Sequence, residues 1–161
     1  MIRYADITLS DYLEKLSARE PVPGGGSAAA LTAALGAALV CMVIRYSIGK
    51  GKPESIEADL QSSLQLTEKD RIELTDLVTL DSELYLAMRE AKKKGPDEYR
   101  AAAEAANQVS LRIKTLSEDL LARTVFLRKE GNPYLLSDVA AAEAFLEAAI
   151  ATCWAMMESN S

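Results

Sequence analysis

The 161-residue chain contains no histidine, and that absence removes the usual general base and the usual metal ligand together. Catalysis in such a chain rests on carboxylates, lysine, tyrosine, hydroxyls or backbone groups. Cysteine is almost as scarce. Cys41 and Cys153 both lie in apolar segments, where a free thiol behaves as a small buried hydrophobe, and two isolated cysteines make neither a zinc site nor a disulfide framework. Aromatic residues make up only 6%, and no run shows the strict alternation of a half-buried strand. No basic stripe is present. The net charge is −6 with both signs interspersed, which disfavours nucleic acid as a partner. The start of the chain carries no secretory signal pattern, so the cytoplasm is the expected compartment.

What is abundant is alanine, the best helix former and a residue that lets helices approach closely. The composition predicts an all-α single domain over residues 1–161, a bundle of about five helices without repeat or linker. Thr8 caps a first helix striped by Leu9, Tyr12, Leu13 and Leu16, and Pro21-Val22-Pro23 ends it. The segment Ala28–Ile44 is apolar all round. It falls short of the roughly 20 residues of a membrane span, and Thr32 and Gly36 interrupt it, so it reads as the central helix of the bundle. Burying such a helix completely in a small domain is easier if a second copy covers it, hence the expectation of a homodimer or higher homo-oligomer, with no membrane.

A long helix follows Pro53 to about Lys94, striped by Leu74, Leu77, Val78, Asp81, Leu84, Tyr85 and Met88. A fourth runs from about Asp97 to Glu130, with Gly131 as its C-terminal cap, and the last starts at Ser137 or Asp138.

Three places carry candidate chemistry. Pro23-Gly24-Gly25-Gly26-Ser27 precedes the central helix, whose unpaired N–H groups suit a carboxylate or phosphate; alternatively it is a tight connection with Ser27 as N-cap. No Lys-Ser or Lys-Thr closes it, so it is not a nucleotide phosphate loop. Asp81 is a carboxylate on an otherwise apolar face. Burial would keep it protonated near neutral pH as a proton donor, or else it pairs with Arg or Lys from another helix. Asn132-Pro133 with Ser137-Asp138 makes a turn and a cap, and Asp138 could also pair with a cationic ligand or orient an amide. Glu143 and Glu147 read as a solvated edge. Arg45, Lys50 and Lys52, like Lys92, Lys93 and Lys94, are either solvated helix ends or a dock for a small anion.

Together these segments resemble the cyclodeaminase/cyclohydrolase domain of folate one-carbon metabolism, found in formiminotransferase-cyclodeaminase and in stand-alone methenyltetrahydrofolate cyclohydrolases. The resemblance rests on Pro21-Val22-Pro23-Gly24-Gly25-Gly26-Ser27-Ala28-Ala29-Ala30, on Leu80-Asp81-Ser82-Glu83-Leu84-Tyr85, and on Gly131-Asn132-Pro133 with Ser137-Asp138, in order along nearly the whole chain. It implies an all-helical oligomer, a tetrahydrofolate derivative as substrate, no bound prosthetic group, and Asp81 as the proton donor. Pro23, Gly24, Gly25, Gly26, Ser27, Tyr85, Asn132, Ser137 and Asp138 are the matched binding candidates. Lys50 and Lys52 join them as partners for the folate carboxylates. Without a fused transferase, the cyclohydrolase reaction is the slightly favoured one. Two departures stand out: the family leads one to expect a further C-terminal helix beyond Ser161, and Cys153-Trp154-Ala155-Met156-Met157 replaces late asparagines, leaving Asn160. A homologue that binds folate as a scaffold without turnover is the alternative.

Overall fold

A computed structural model describes residues 2–159. Five helices follow one another: α1 (Leu9–Ser17), α2 (Gly25–Ser47), α3 (Glu54–Ala91), α4 (Pro96–Glu130) and α5 (Leu136–Ser159), with single 3-10 turns at Tyr4–Asp6 and Pro133–Leu135. No strand occurs among the described residues. The fold is all-α, as the composition implied.

α2 is the axis of the bundle, packed against α3, α4 and α5. Its alanines at 29, 30, 33, 34 and 37 are buried, as are Val40, Val43 and Ile44. Near its start it meets Leu74, Leu77 and Val78 of α3, Ile113 and Leu116 of α4, and Leu146 of α5. Near its end it meets Leu60, Leu127, Val139 and Ala142. Gly36 lets α5 come closer than alanine would, since a Cβ there would stand 2.9 Å from Leu146 Cγ. Outer edges are fastened by ion pairs: Arg112 Nε to Glu73 at 2.5 Å and Arg123 to Asp70 at 2.6 Å join α4 to α3, and Arg128 pairs with Glu143 of α5. Glu143 is therefore a structural partner, while Glu147 is exposed.

Several boundaries differ from the sequence expectation. α2 starts three residues earlier and ends three later, because Gly25 and Gly26 form its first turn. At 23 residues it is long and apolar enough to cross a membrane, as is the stretch Pro133–Ser159. Within this bundle 56% of α2's apolar stretch is buried, against α3, α4 and α5, while Leu35 remains 50% exposed. Pro53 caps α3 from outside its first turn. The last helix is not started by Ser137 or Asp138: Asn132 accepts the Tyr134 N–H at 3.0 Å, and the 3-10 turn runs directly into α5. The α1 stripe is only half used. Tyr12 is buried and Leu16 packs half-buried against the core, whereas Leu9 is 67% and Leu13 52% exposed, because this nine-residue helix lies on the surface.

Candidate active site

The segment Pro21–Gly24 brings the chain from α1 to the head of α2, with Val22–Pro23 in the cis form and Pro23 buried. Gly24 is the N-cap residue, so Ser27 lies inside the first turn rather than capping it. Its fully buried hydroxyl has another task. Ser27 Oγ donates to the Val78 carbonyl of α3 at 2.7 Å, which leaves it to accept from the Tyr12 hydroxyl of α1 at 3.0 Å. One side chain thereby ties three helices at the head of α2.

Asp81 lies one turn beyond Val78, so its carboxyl group meets that same helix start. A Cβ on Gly26 would fall 2.0 Å from Asp81 Oδ1; only glycine allows this approach. No cation among the described residues answers the charge. Loss of water raises the Asp81 pKa from its ordinary 3.8 to about 6, partly offset by the Ser27 backbone N–H, which favours the carboxylate. The Arg or Lys partner that would make Asp81 merely structural does not appear among the described residues. A carboxyl group that titrates near 6 is able both to give and to take a proton around neutral pH.

The carboxyl group opens onto a cleft of about 210 Å³. The glycine turn and Val22 form one side, Tyr85 of α3 another, Ala106 and Ser110 of α4 the back, and Met156 the α5 wall. Met156 covers the glycine turn closely, its Sδ 3.2 Å from where a Gly25 Cβ would stand. Of the residues singled out from sequence, Gly24, Gly25, Gly26, Asp81 and Tyr85 meet here, with Pro23 and Ser27 directly behind them.

The other candidates gather elsewhere. Lys50, Lys52 and Asn132 line a recess of about 440 Å³ with Ser47, at the opposite end of α2, roughly 33 Å away by helix rise. Asn132 clamps that end: its N–H donates to Ser47 Oγ at 2.8 Å and its side chain to the Tyr46 carbonyl at 3.3 Å. Ser137 and Asp138 sit in the first turn of α5 after the same loop. Asn160 lies outside the described residues. Ser110 and Met156 were missed in the sequence because one hydroxyl on a long helix and one late methionine carry no local signal. Among the described residues no cluster of three acidic or sulfur side chains is arranged to hold a metal.

Comparison with known proteins identifies the family. A family described as formiminotransferase-cyclodeaminase matches residues 8–161. The chain belongs to that family. It is 34% identical over 145 residues to a methenyltetrahydrofolate cyclohydrolase of Methylorubrum extorquens, covering 84% of this chain and 70% of that protein. It is 32% identical to the formimidoyltransferase-cyclodeaminase of Mus musculus over 90% of its own length, which is only 29% of the mouse protein. The crystal structure of a formiminotetrahydrofolate cyclodeaminase from Thermotoga maritima superposes with a TM-score of 0.92 at 25% identity, over 96% of this chain and 78% of that one. The chain thus shares the fold of that cyclodeaminase over nearly its whole length.

Proposed function

We propose that this chain is a folate one-carbon enzyme acting on methenyltetrahydrofolate or formiminotetrahydrofolate, with Asp81 as its general acid and base. The observation that carries the proposal is the unpaired Asp81 carboxyl pressed against Gly26 at the base of a cleft, with a proton affinity near neutrality. The 34% identity to a cyclohydrolase and the match to cyclodeaminases supply the substrate class.

Both reactions occur at one amidine-like carbon. In the cyclohydrolase direction water adds to the methenyl carbon and gives up a proton to the Asp81 carboxylate. The protonated Asp81 then returns the proton to the ring nitrogen as its bond to that carbon breaks, and the remaining hydroxyl proton is released to water as the formyl C=O forms. In the cyclodeaminase reaction the neighbouring nitrogen attacks the formimino carbon. The attacking nitrogen gives its proton to the Asp81 carboxylate, and Asp81, now the acid, passes it to the amino group, which leaves as ammonia. Each step moves a proton between nitrogen or oxygen and one carboxyl group, so the proposed chemistry uses no prosthetic group.

The chain is further proposed to act in the cytoplasm as a homodimer or higher homo-oligomer. Two buried free thiols suit a reducing compartment. The outward face of α5, with Ala140, Ala144, Ala148, Phe145 and Trp154 exposed, suits a second copy.

The deciding experiment is the absorbance decay of methenyltetrahydrofolate with the wild-type protein and with Asp81→Asn. Rapid decay that falls to background in the variant supports the cyclohydrolase. Ammonia release from formiminotetrahydrofolate without that decay supports the cyclodeaminase. Binding of either folate without turnover would leave the scaffold reading.

A further inference from the structure

Two cysteines and five methionines carry the sulfur of this chain. Cys41 and Cys153 are shielded from oxidants: both are buried, and burial pushes both thiols up to about 12, so the reactive thiolate is scarce. Met88 is buried, and half-buried Met42 packs against the core near the end of α2. Met156 is placed differently. It is half-buried and forms a wall of the Asp81 cleft, and its Sδ and Cε each lie 3.2 Å from where a Gly25 Cβ would stand. Because Gly25 has no side chain, the thioether lies over bare backbone at the first turn of α2.

That turn has donors to spare. A helix gives its first N–H groups no partner of its own, and among the described residues no acceptor meets the Gly25 or Gly26 N–H; the Ser27 N–H serves Asp81. A thioether is a weak acceptor and offers these donors little. A sulfoxide oxygen is polar and partly negative, and the start of a helix favours negative charge.

We propose that Met156 is an oxidation site that closes the cleft: a hydroperoxide converts its thioether to the sulfoxide, whose oxygen is then held by the Gly25 and Gly26 N–H groups beside Asp81. In that step Sδ takes the terminal oxygen of the hydroperoxide as the O–O bond breaks. The proton on that oxygen passes to the leaving oxygen, which departs as water or an alcohol. Sulfur loses two electrons and the peroxide gains them. A methionine sulfoxide reductase using a dithiol reverses the change, releasing water and leaving a disulfide. The cleft holds only about 210 Å³, below the roughly 300–1,000 Å³ of a ligand pocket, so one fixed polar atom on its wall is enough to obstruct a substrate ring. The loss of turnover rests on reading this cleft as the folate site; the oxidation and its effect on the glycine turn do not.

The test treats the full chain with hydrogen peroxide and locates each sulfoxide by peptide mass spectrometry. Met156 should be oxidised before Met42 and Met88, and amide exchange at Gly25 and Gly26 should slow about tenfold as it is. Folate turnover should fall by about tenfold and return on treatment with the reductase and a dithiol. Met156→Leu keeps the apolar bulk without the sulfur, so it should resist peroxide when scored against its own untreated rate. Met157→Leu should lose activity as the wild type does. Inactivation of Met156→Leu at the wild-type peroxide dose overturns the inference, as does unchanged exchange at Gly25 and Gly26 once Met156 is oxidised. A wild type with no folate turnover overturns the proposed function instead, and exchange at the glycine turn then decides this inference by itself.

Discussion

Gly26 and Asp81 occupy one another's space: the carboxylate oxygen lies 2.0 Å from where any Gly26 side chain would begin. Gly26→Ala must therefore displace Asp81 or open α2 away from α3. Activity on the folate substrate should fall at least a hundredfold, with helix content retained. Gly24, at the N-cap, has nothing within 4 Å of its Cβ position, so Gly24→Ala should keep activity within a fewfold of wild type. Equal losses in the two variants would show that general flexibility of the turn matters, rather than the Asp81 contact.

The titration of Asp81 near 6 sets the direction of the pH profile. If the carboxylate takes a proton from water, kcat/KM rises with pH through about 6; if the carboxylic acid serves as proton donor, it falls above that point. A profile flat between pH 5 and 7.5, roughly the window around that pKa, would remove Asp81 from the proton-transfer step.

The same shift carries a stability signature. The folded state binds the Asp81 proton more tightly than the unfolded chain does, so the stability that this one group contributes is fully present below about pH 4 and is lost as pH rises through about 6. Asp81→Asn removes this penalty. It should stabilise the protein at pH 8 by up to about 2–3 kcal/mol and have little effect at pH 4, measured as urea midpoints. A variant less stable than wild type at pH 8 would contradict the desolvated, unpaired carboxyl group.

Ser27→Ala deletes the hydroxyl shared by Tyr12 and Val78 and leaves the buried Tyr12 hydroxyl without that partner. A loss of about 1–3 kcal/mol is expected. Tyr12→Phe keeps the Ser27–Val78 bond and should cost less. The order of the two thermal midpoints checks this arrangement.

Ser82 presents the reverse case. Its buried hydroxyl has no hydrogen-bond partner among the described residues, although it neighbours Asp81. Ser82→Ala should be neutral or stabilising by about 1 kcal/mol. A marked loss of activity at unchanged stability would instead assign this hydroxyl a place in the site.

What the sequence determined by itself is local in origin. Helix propensity and alanine content are properties of adjacent residues, so the all-α class, the central α2 and the approximate five helices were legible there. Thr8 was legible as a cap because its hydroxyl needs only the N–H of Asp11, three residues on, at 3.1 Å. The glycine turn and Asp81 stood out for the same reason, each being out of place in its own segment. The tertiary structure alone decided which of these features meet. Gly26 touches Asp81 across 55 positions of chain, while Lys50 and Lys52, only about 25 positions from the glycines, end at the far end of a rigid 23-residue helix. Ser27 looked like a cap because a serine before a helix usually is one. It became a three-helix tie because α1 and α3 both reach the start of α2. Spacing along the chain predicts neighbours on one helix face, and it is silent on which faces of different helices are pressed together.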